Sequence, residues 1–295
     1  MRDLNDKVAF VTGGASGIGY GIVRSFLAEG MKVAVADFND DHLAEVRESL
    51  KGSNSIHLLK VDVSNRDQVR AAAQEAVDVF GKIHVLCNNA GVGGGGTPDD
   101  PDFDDWDRAM SINLGGVING AKIILPHIRA HGEGGHVVNT SSMAGIVPLP
   151  SMGAYSTAKH AVRGYTESLR MSLAPEGIGV SCLFPGLTRT RIIDLPEGEE
   201  GADPQDAADE MEALFRAAMD VAMDPLDVGA AVVRGIRENQ PYIVTHLEFL
   251  DEVRTLNREL EDAFPAGQKV PDARREFEEM RRKMAAQLLT MPAKD

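Results

Sequence analysis

The sequence predicts a doubly wound α/β fold in which helices cover both faces of a parallel sheet. Two patterns indicate it: short apolar runs rich in β-branched residues alternate with longer segments of helical period, and the runs are apolar on both faces. The chain of 295 residues, 43% of them hydrophobic, is also long enough to bury a large core. We therefore expect one domain over residues 1–246, followed by a helical extension over residues 247–295.

The predicted strands and helices alternate along the whole domain. The strands are short apolar runs bounded by polar or turn-forming residues: Lys7–Thr12, Lys32–Asp37, Ser55–Val61, Ile83–Cys87, His136–Thr140, Gly179–Phe184 and Tyr242–Thr245. Between them, apolar residues recur every three or four positions near residues 17–30, 41–51, 66–80, 104–131, 152–175 and 226–238. This alternation of strands and helices is typical of a parallel sheet.

The pattern changes at Glu248 to two amphipathic helices without strands. One helix carries Phe249, Val253, Leu256 and Leu260, and the other begins at Pro271 and carries Phe277, Met280, Met284 and Leu288. Such apolar stripes require cover, so we expect the extension to pack on its own subunit or on a neighbouring one.

Charge and cysteine content narrow the classes of partner and compartment. Residues 1–193 carry 18 basic and 21 acidic side chains, whereas residues 194–295 carry 12 and 24. A net charge of −15 disfavours nucleic acid and anionic membranes as partners. Cys87 and Cys182 lie in apolar runs, which predicts buried thiols in a reducing compartment. With no predicted signal peptide or membrane span, we expect a cytoplasmic location.

The first strand runs into a glycine-rich turn that is followed by a helix. Gly13, Gly17 and Gly19 allow a sharp turn and a close approach of a pyrophosphate to the helix N-terminus, where the helix dipole favours negative charge. Asp37 ends the second strand, 18 residues past Gly19. A carboxylate there accepts hydrogen bonds from ribose hydroxyls and repels a 2′-phosphate, which predicts NAD rather than NADP as cofactor. The alternative for Asp37 is a helix cap or turn former.

Polar residues also follow the third and fourth strands. Asp62 is placed to meet the adenine amino group, and Asn88 to Gly91 follow the fourth strand. Because ligands bind outside the carboxyl ends of strands in open parallel sheets, we expect these segments to line one crevice.

Tyr155 and Lys159 are four residues apart on a predicted helix, so their side chains share one face. A nearby ammonium favours phenolate, and we expect Lys159 to lower the pKa of Tyr155 toward neutrality. As an isolated pair these residues would more often form an exposed helix face.

Ser142 stands thirteen residues before Tyr155, at the end of the fifth predicted strand. Here the chain resembles the short-chain dehydrogenase/reductase family, over residues 5–246. The matching motifs are Thr12-Gly13 with Gly17 and Gly19, Asp62, Asn88 to Gly91, Asn113, Ser142, Tyr155 with Lys159, Pro185-Gly186 and Thr190. The resemblance implies a Rossmann-type, NAD-dependent oxidoreductase that forms a homodimer or homotetramer.

The resemblance also implies roles for individual residues. Tyr155 exchanges the proton with substrate, Ser142 holds the substrate oxygen, Lys159 binds the nicotinamide ribose, and Asn113 anchors a water in a proton relay. The family spacing favours Ser142 over the adjacent Ser141. The residues predicted to bind the cofactor are Gly13, Ser16, Gly17, Ile18, Gly19, Asp37, Phe38, Asp62, Val63, Asn89, Ala90, Gly91, Tyr155, Lys159, Pro185, Gly186, Thr188 and Thr190.

The predicted substrate pocket is largely apolar. Its candidate residues are Met143, Val147, Met152, Leu195, Met211 and Phe215. These side chains favour a hydrophobic or aromatic secondary alcohol, or the corresponding ketone, over a sugar. Residues 194–209 are predicted to form a mobile lid over this pocket or, alternatively, a solvated acidic loop.

Two other functions remain open. The first is a reductase of acyl thioesters or quinones, for which Arg189 and Arg191 are the only basic candidates near the pocket. The second is an NAD-sensing protein without turnover, which would have no chemical need for Ser142, Tyr155 and Lys159. We expect no metal, because the histidine pair His127 and His131 lacks the further ligands of a zinc site.

Overall fold

The fold is a parallel sheet flanked by helices, as the sequence predicts. A computed structural model describes residues 1–94, 96–99, 103–191 and 217–290. Over these residues, seven strands form one sheet in the order β3-β2-β1-β4-β5-β6-β7, and all pairs are parallel. The strands are β1 Val8–Thr12, β2 Lys32–Asp37, β3 Ile56–Lys60, β4 Val85–Asn88, β5 Gly135–Thr140, β6 Ile178–Phe184 and β7 Tyr242–Val244.

The helices lie between the strands and beyond the last one. In the described ranges they are α1 Gly17–Ala28, α2 Asp40–Ser49, α3 Arg66–Phe80, α4 Asp104–Ala109, α5 Gly116–Ala130, α6 Gly153–Leu173, α7 Pro225–Glu238, α8 Leu250–Asp262 and α9 Asp272–Thr290. The helix predicted near residues 104–131 is helical from Asp104 to Ala130, but it is not uniform. A π-helical turn at Met110–Gly115 separates α4 from α5, and π-turns of this kind frequently mark functional positions.

The core lies on both faces of the sheet, because successive residues of each strand point to opposite sides. Val11 and Ala9 pack with Phe26 and Val232 on the face covered by α1 and α7. Phe10 packs on the other face, in the cluster that α3 and α5 cover. This burial on both faces explains why the strands are continuous apolar runs.

Two glycines set the close packing of α1 against α7. A Cβ atom at Gly21 would lie 2.1 Å from the carbonyl oxygen of Pro225, and one at Gly229 would lie 2.4 Å from the carbonyl oxygen of Gly21. The order of the sheet reverses next to these helices, since β1 lies between β2 and β4. The crevice at such a switch point is where open α/β sheets bind ligands.

The C-terminal extension packs on its own chain only in part. Phe249 and Val253 contact a buried cluster formed by Met143, Cys182 and Phe184. By contrast, the apolar stripe of α9 is exposed in the single chain, with Phe277 at 59% and Met284 at 58%. Among the described helices, none combines the length and apolar composition that a bilayer span requires.

Candidate active site

The glycine-rich turn after β1 is shaped by positions that only glycine fits. Gly13 and Gly17 have φ angles of +60° and +47°, a region that side chains disfavour. A Cβ atom at Gly19 would lie 1.9 Å from the carbonyl oxygen of Gly13. The side chain of Ser16 does not cap α1, which leaves the first N–H groups of the helix suited to an anionic group.

Thr12 joins the glycine-rich turn to the end of β4. Its hydroxyl oxygen accepts hydrogen bonds from the backbone N–H groups of Asn89, at 2.9 Å, and Ala90, at 3.1 Å. The side-chain amide of Asn89 donates to the carbonyl of Gly13 at 3.4 Å. The carboxyl ends of β1 and β4 are therefore held together beside the turn.

Asp37 lies at the end of β2, against the same turn. Its carboxylate accepts hydrogen bonds from the N–H groups of Ala15 and Asn39, each at 3.0 Å. Asp37 thus acts as the turn former considered above and also presents its charge beside the glycines. Phe38 follows and is 69% exposed. No basic side chain occupies position 14, 15 or 38.

Asp62 and Val63 follow β3 at the same edge of the sheet. One carboxylate oxygen of Asp62 accepts hydrogen bonds from the N–H, at 2.9 Å, and the hydroxyl, at 2.7 Å, of Ser64. Val63 is buried against Gly116, where a Cβ atom would lie 2.6 Å from the valine side chain. These contacts fix the orientation of the carboxylate.

Ser142, Tyr155 and Lys159 come together between β5 and α6. The hydroxyl of Ser142 lies close enough to the phenol of Tyr155 to oppose the rise in its pKa that burial causes, and the Nζ atom of Lys159 lies 5.5 Å from the ring centroid of Tyr155. Lys159 donates a hydrogen bond to the carbonyl of Thr140 at 3.1 Å. Ser141 points the other way, because its hydroxyl donates to the carbonyl of Lys159 at 2.8 Å.

Asn113 lies in the π-helical turn and is fully buried. Its side-chain amide accepts from the N–H of Val92 at 2.9 Å and donates to the carbonyl of Val92 at 3.0 Å. A Cβ atom at Gly91 would lie 2.7 Å from the amide oxygen of Asn113 and 3.4 Å from Nζ of Lys159. Asn113 and Lys159 therefore meet at Gly91.

Burial is the main cause of the pKa shifts of Tyr155 and Lys159 in this chain. It raises the pKa of Tyr155, and the hydrogen bond from Ser142 only partly opposes that shift. Burial also lowers the pKa of Lys159 to about 8. The expectation that Lys159 lowers the pKa of Tyr155 below its ordinary value was therefore wrong for the chain by itself, because the cost of burying a phenolate dominates.

The segment after β6 brings the Pro-Gly motif to the glycine-rich turn. A Cβ atom at Gly17 would lie 2.9 Å from the Cβ atom of Thr190. Thr188 is buried, donates a hydrogen bond to the carbonyl of Gly186 at 3.2 Å, and pairs with Met223 in an isolated β-bridge. The segment from Pro185 to Thr190 therefore lies beside the glycine-rich turn.

The chain was compared with known protein families. The family model described as short chain dehydrogenase matches residues 7–197. The chain belongs to the short-chain dehydrogenase family.

Relatives of this short-chain dehydrogenase carry names that give different activities. A C alpha-dehydrogenase from Sphingobium sp. is 33% identical over 84% of this chain and 83% of its own length. A 3-alpha-(or 20-beta)-hydroxysteroid dehydrogenase from Mycobacterium bovis is 35% identical over 78% and 82%. A short chain dehydrogenase/reductase from Burkholderia phymatum, solved in complex with NAD, has 33% identity and a TM-score of 0.81, covering 92% of this chain and 100% of its own.

Short-chain dehydrogenases bind a nicotinamide cofactor, and the residues of this chain fit one. The glycine-rich turn is a cradle that a Cβ atom would fill, and the start of α1 favours an anionic group. Asp37 adds an acceptor at the end of β2. The residues that fit the cofactor lie in one crevice, at the carboxyl ends of β1, β2, β3 and β4.

The predicted substrate residues fall into two groups. Met143 and Val147 are buried, and Met152 is half-buried. Met143 packs with Cys182 and Phe184, so it contributes to the core of the single chain and its contact with substrate stays a prediction. Leu195, Met211, Phe215 and the proposed lid over residues 194–209 lie outside the described residues.

His246, which follows β7, was not among the residues predicted from the sequence. This side chain is 5% exposed and forms hydrogen bonds to Gly186 and Leu187. The available signal was its position, since a polar residue at the carboxyl end of a parallel strand faces the edge where ligands bind.

A histidine cluster at the opposite edge of the sheet has the composition of a metal site. The side chains of His84, His131 and Glu133 bring their ligand atoms within 4.8 Å of one another. Lys7 and Lys82 both pair with Glu133, and each ring of the two histidines already bonds a backbone group. The cluster therefore ties the starts of β1 and β4 together, and we assign it to the structure of the sheet.

Both cysteines are free and buried. Burial raises the pKa of Cys182 to about 12 and also raises that of Cys87. Neither thiol is therefore a nucleophile at neutral pH.

Proposed function

We propose that this short-chain dehydrogenase uses NAD to oxidise a hydrophobic or aromatic secondary alcohol to a ketone, or catalyses the reverse reduction. The observation that carries the proposal is the contact of Ser142 with Tyr155 next to Lys159, at the same sheet edge as the glycine-rich turn. Oxidation of an alcohol needs a group that takes the hydroxyl proton, and a phenol beside an ammonium provides it.

The residues that would hold the cofactor surround the crevice. The turn from Gly13 to Gly19 and the start of α1 would receive the pyrophosphate, Asp37 the adenosine ribose, and Asp62 with Val63 the adenine. Asn89 to Gly91 and the segment Pro185–Thr190 would line the rest. A bound nicotinamide supplies the acceptor or donor of the hydride.

The side chains of this chain handle the proton. In the oxidising direction Tyr155 accepts the hydroxyl proton at its Oη atom, and in the reducing direction it returns that proton. Ser142 donates a hydrogen bond to the substrate oxygen and holds it within reach of the phenol. Lys159 stabilises the phenolate while its ammonium is charged, and Asn113 anchors a water beside Lys159 for proton relay.

NAD rather than NADP is proposed because Asp37 presents a carboxylate where a 2′-phosphate would bind. We expect Asp37→Asn to shift the ratio of kcat/KM for NAD over NADP by at least about tenfold, or ~1.4 kcal/mol, toward NADP. Asparagine removes the charge and keeps one acceptor oxygen for the N–H of Ala15, while its NH₂ group replaces the oxygen that accepts from Asn39. Asp40→Asn, three residues on at an exposed position of α2, is the matched control. A ratio unchanged in Asp37→Asn would refute the role of this carboxylate.

A panel of substrates tests the proposed chemistry. With NAD, we expect secondary benzylic and steroid alcohols to raise the absorbance of reduced nicotinamide, and polyhydroxy sugars to give no reaction. The names of two relatives, a C alpha-dehydrogenase and a hydroxysteroid dehydrogenase, support this choice of panel. Turnover of sugars in preference to both classes would contradict the apolar pocket.

The reductase of acyl thioesters or quinones is the weaker candidate. Arg191 forms a two-pronged ion pair with Glu45, at 3.2 and 3.0 Å, so its charge is already paired. Arg189 donates to the carbonyl of Ala222 at 3.5 Å. Faster reduction of a coenzyme A thioester or a quinone than of simple ketones would favour this candidate.

We also propose that residues 1–246 form the catalytic domain of a homo-oligomer and that α9 packs on a neighbouring copy. The exposed stripe of Phe277, Met280 and Met284 supports this role, because monomers rarely expose such contiguous apolar surface. We expect a chain ending at Ala263, which keeps His246, Phe249 and Val253, to elute from size exclusion at a smaller assembly mass than the full chain. If the shortened chain and the full chain have the same assembly mass and the same melting temperature, α9 is not part of the interface.

A further inference from the structure

His246 holds the backbone of the Pro-Gly segment with both of its ring nitrogens. Its Nε2 atom lies 2.9 Å from the carbonyl oxygen of Leu187, and its Nδ1 atom accepts a hydrogen bond from the N–H of Gly186 at 2.9 Å. Because a carbonyl only accepts, Nε2 carries the proton and Nδ1 is bare. The contacts to Gly186 and Leu187 therefore require the tautomer with its proton on Nε2, and Nδ1 also lies 2.7 Å from the hydroxyl oxygen of Thr245.

The fit of the ring against Gly186 is close. A Cβ atom at Gly186 would lie 2.7 Å from Cγ of His246 and 2.9 Å from Cε2 of Phe249. The rings of His246 and Phe249 meet edge to face, with centroids 6.5 Å apart. The rings of His246 and Phe249 thus cover the Pro-Gly segment, and any side chain at position 186 would displace them.

A second support holds the same segment from the other side. The N–H of Met223 donates to the carbonyl of Leu187 at 3.1 Å, and the N–H of Arg189 donates to the carbonyl of Met223 at 3.0 Å. The carbonyl of Leu187 therefore receives hydrogen bonds from His246 and from Met223. With its backbone held at Gly186, Leu187 and Arg189, the segment has little freedom to move Thr188 and Thr190.

We propose that His246 is a positioning residue, which fixes the Pro185–Leu187 backbone so that Thr188 and Thr190 are held beside the cofactor crevice, where Thr190 meets Gly17. The proposal rests on the proposed function for what binds there, but the contacts themselves do not depend on it. It also gives the last residue before the C-terminal extension a role in the site, independent of any role of α9 in assembly.

Two substitutions separate positioning from simple packing. His246→Gln offers an amide oxygen and an N–H at a separation similar to that of the ring nitrogens, so it can keep both hydrogen bonds. His246→Leu fills space and keeps neither. His57→Leu, on the edge strand β3, controls for loss of a histidine elsewhere.

The first readout is hydrogen–deuterium exchange at the Gly186 amide in the ligand-free protein. We expect exchange at least about tenfold faster in His246→Leu, because the amide loses its acceptor, and exchange close to wild type in His246→Gln. The second is the dissociation constant for NADH by calorimetry. We expect it to rise about tenfold or more in His246→Leu and to recover to within about threefold in His246→Gln.

The outcomes distinguish failure of the positioning role from failure of the proposed function. Faster exchange and a lower melting temperature in His246→Leu with unchanged NADH binding would make His246 a packing residue only and overturn the proposal. If His246→Leu does not fold, an unprotected Gly186 amide or weak NADH binding in folded His246→Gln overturns it equally. Absence of turnover on every alcohol tested would count against the proposed function and leave both readouts usable.

Discussion

Replacing Tyr155 with phenylalanine is expected to lower kcat by about 1,000-fold and to leave the dissociation constant for NADH within about threefold of wild type, since a general acid–base group typically contributes 10²–10⁴-fold. The change removes one oxygen and keeps the ring beside Lys159. Ser142 still binds the substrate oxygen, but no group at that position takes its proton. Steady-state kinetics and calorimetry on the same preparation measure both effects.

Tyr165→Phe is the matched control for this variant. Tyr165 lies on the same helix, α6, and burial also raises its pKa. It packs against the core cluster under α3 and α5 rather than beside Ser142, so we expect its kcat to be unchanged. A kcat of Tyr155→Phe within about tenfold of the wild-type value would show that Tyr155 does not transfer the proton.

Replacing Lys159 with methionine is expected to lower kcat for alcohol oxidation by about 100-fold or more and to move its pH dependence to higher pH. Methionine has a similar length and no charge. Without the ammonium, the phenolate of Tyr155 loses the positive charge that opposes its burial, so the proton leaves only at higher pH. Lys122→Met, an exposed lysine on α5, is the control.

The sign of the pH dependence follows from the two shifted groups. Burial raises the pKa of Tyr155, so the phenol is protonated at neutral pH and is ready to act as an acid. We therefore expect alcohol oxidation to rise with pH and ketone reduction to fall. Burial lowers the pKa of Lys159 to about 8, so the ammonium that stabilises the phenolate is lost as pH rises through that value, and we expect the rise in oxidation to flatten there. Oxidation that falls as pH rises from 6 to 9 would contradict this assignment.

Local patterns predicted most of the fold and the approximate location of the site. The strands from Val8–Thr12 to Tyr242–Val244 were predictable because parallel strands buried on both faces are continuous apolar runs. The glycine-rich turn was predictable because Gly13 and Gly17 adopt backbone angles that other residues avoid. The helical spacing of Tyr155 and Lys159 predicted their shared face.

Features that depend on burial and on distant contacts were not predictable from these patterns. The spacing of Tyr155 and Lys159 says nothing about desolvation, which reverses the direction expected for the tyrosine's pKa. The side chain of Asn113, within the π-helical turn, bonds both backbone groups of Val92, which lies 21 residues away in the sequence. The hydrogen bond from Gly186 to His246 spans 60 residues.

The most direct test of the central claim is a crystal structure of this enzyme with NAD and an unreactive ketone. We predict that the ketone oxygen lies about 2.6–3.2 Å from both Oη of Tyr155 and Oγ of Ser142, the range in which a proton can be exchanged. A ketone oxygen more than about 5 Å from the phenol, or a phenol shielded from it by packed side chains, would contradict the claim that Tyr155 moves the proton.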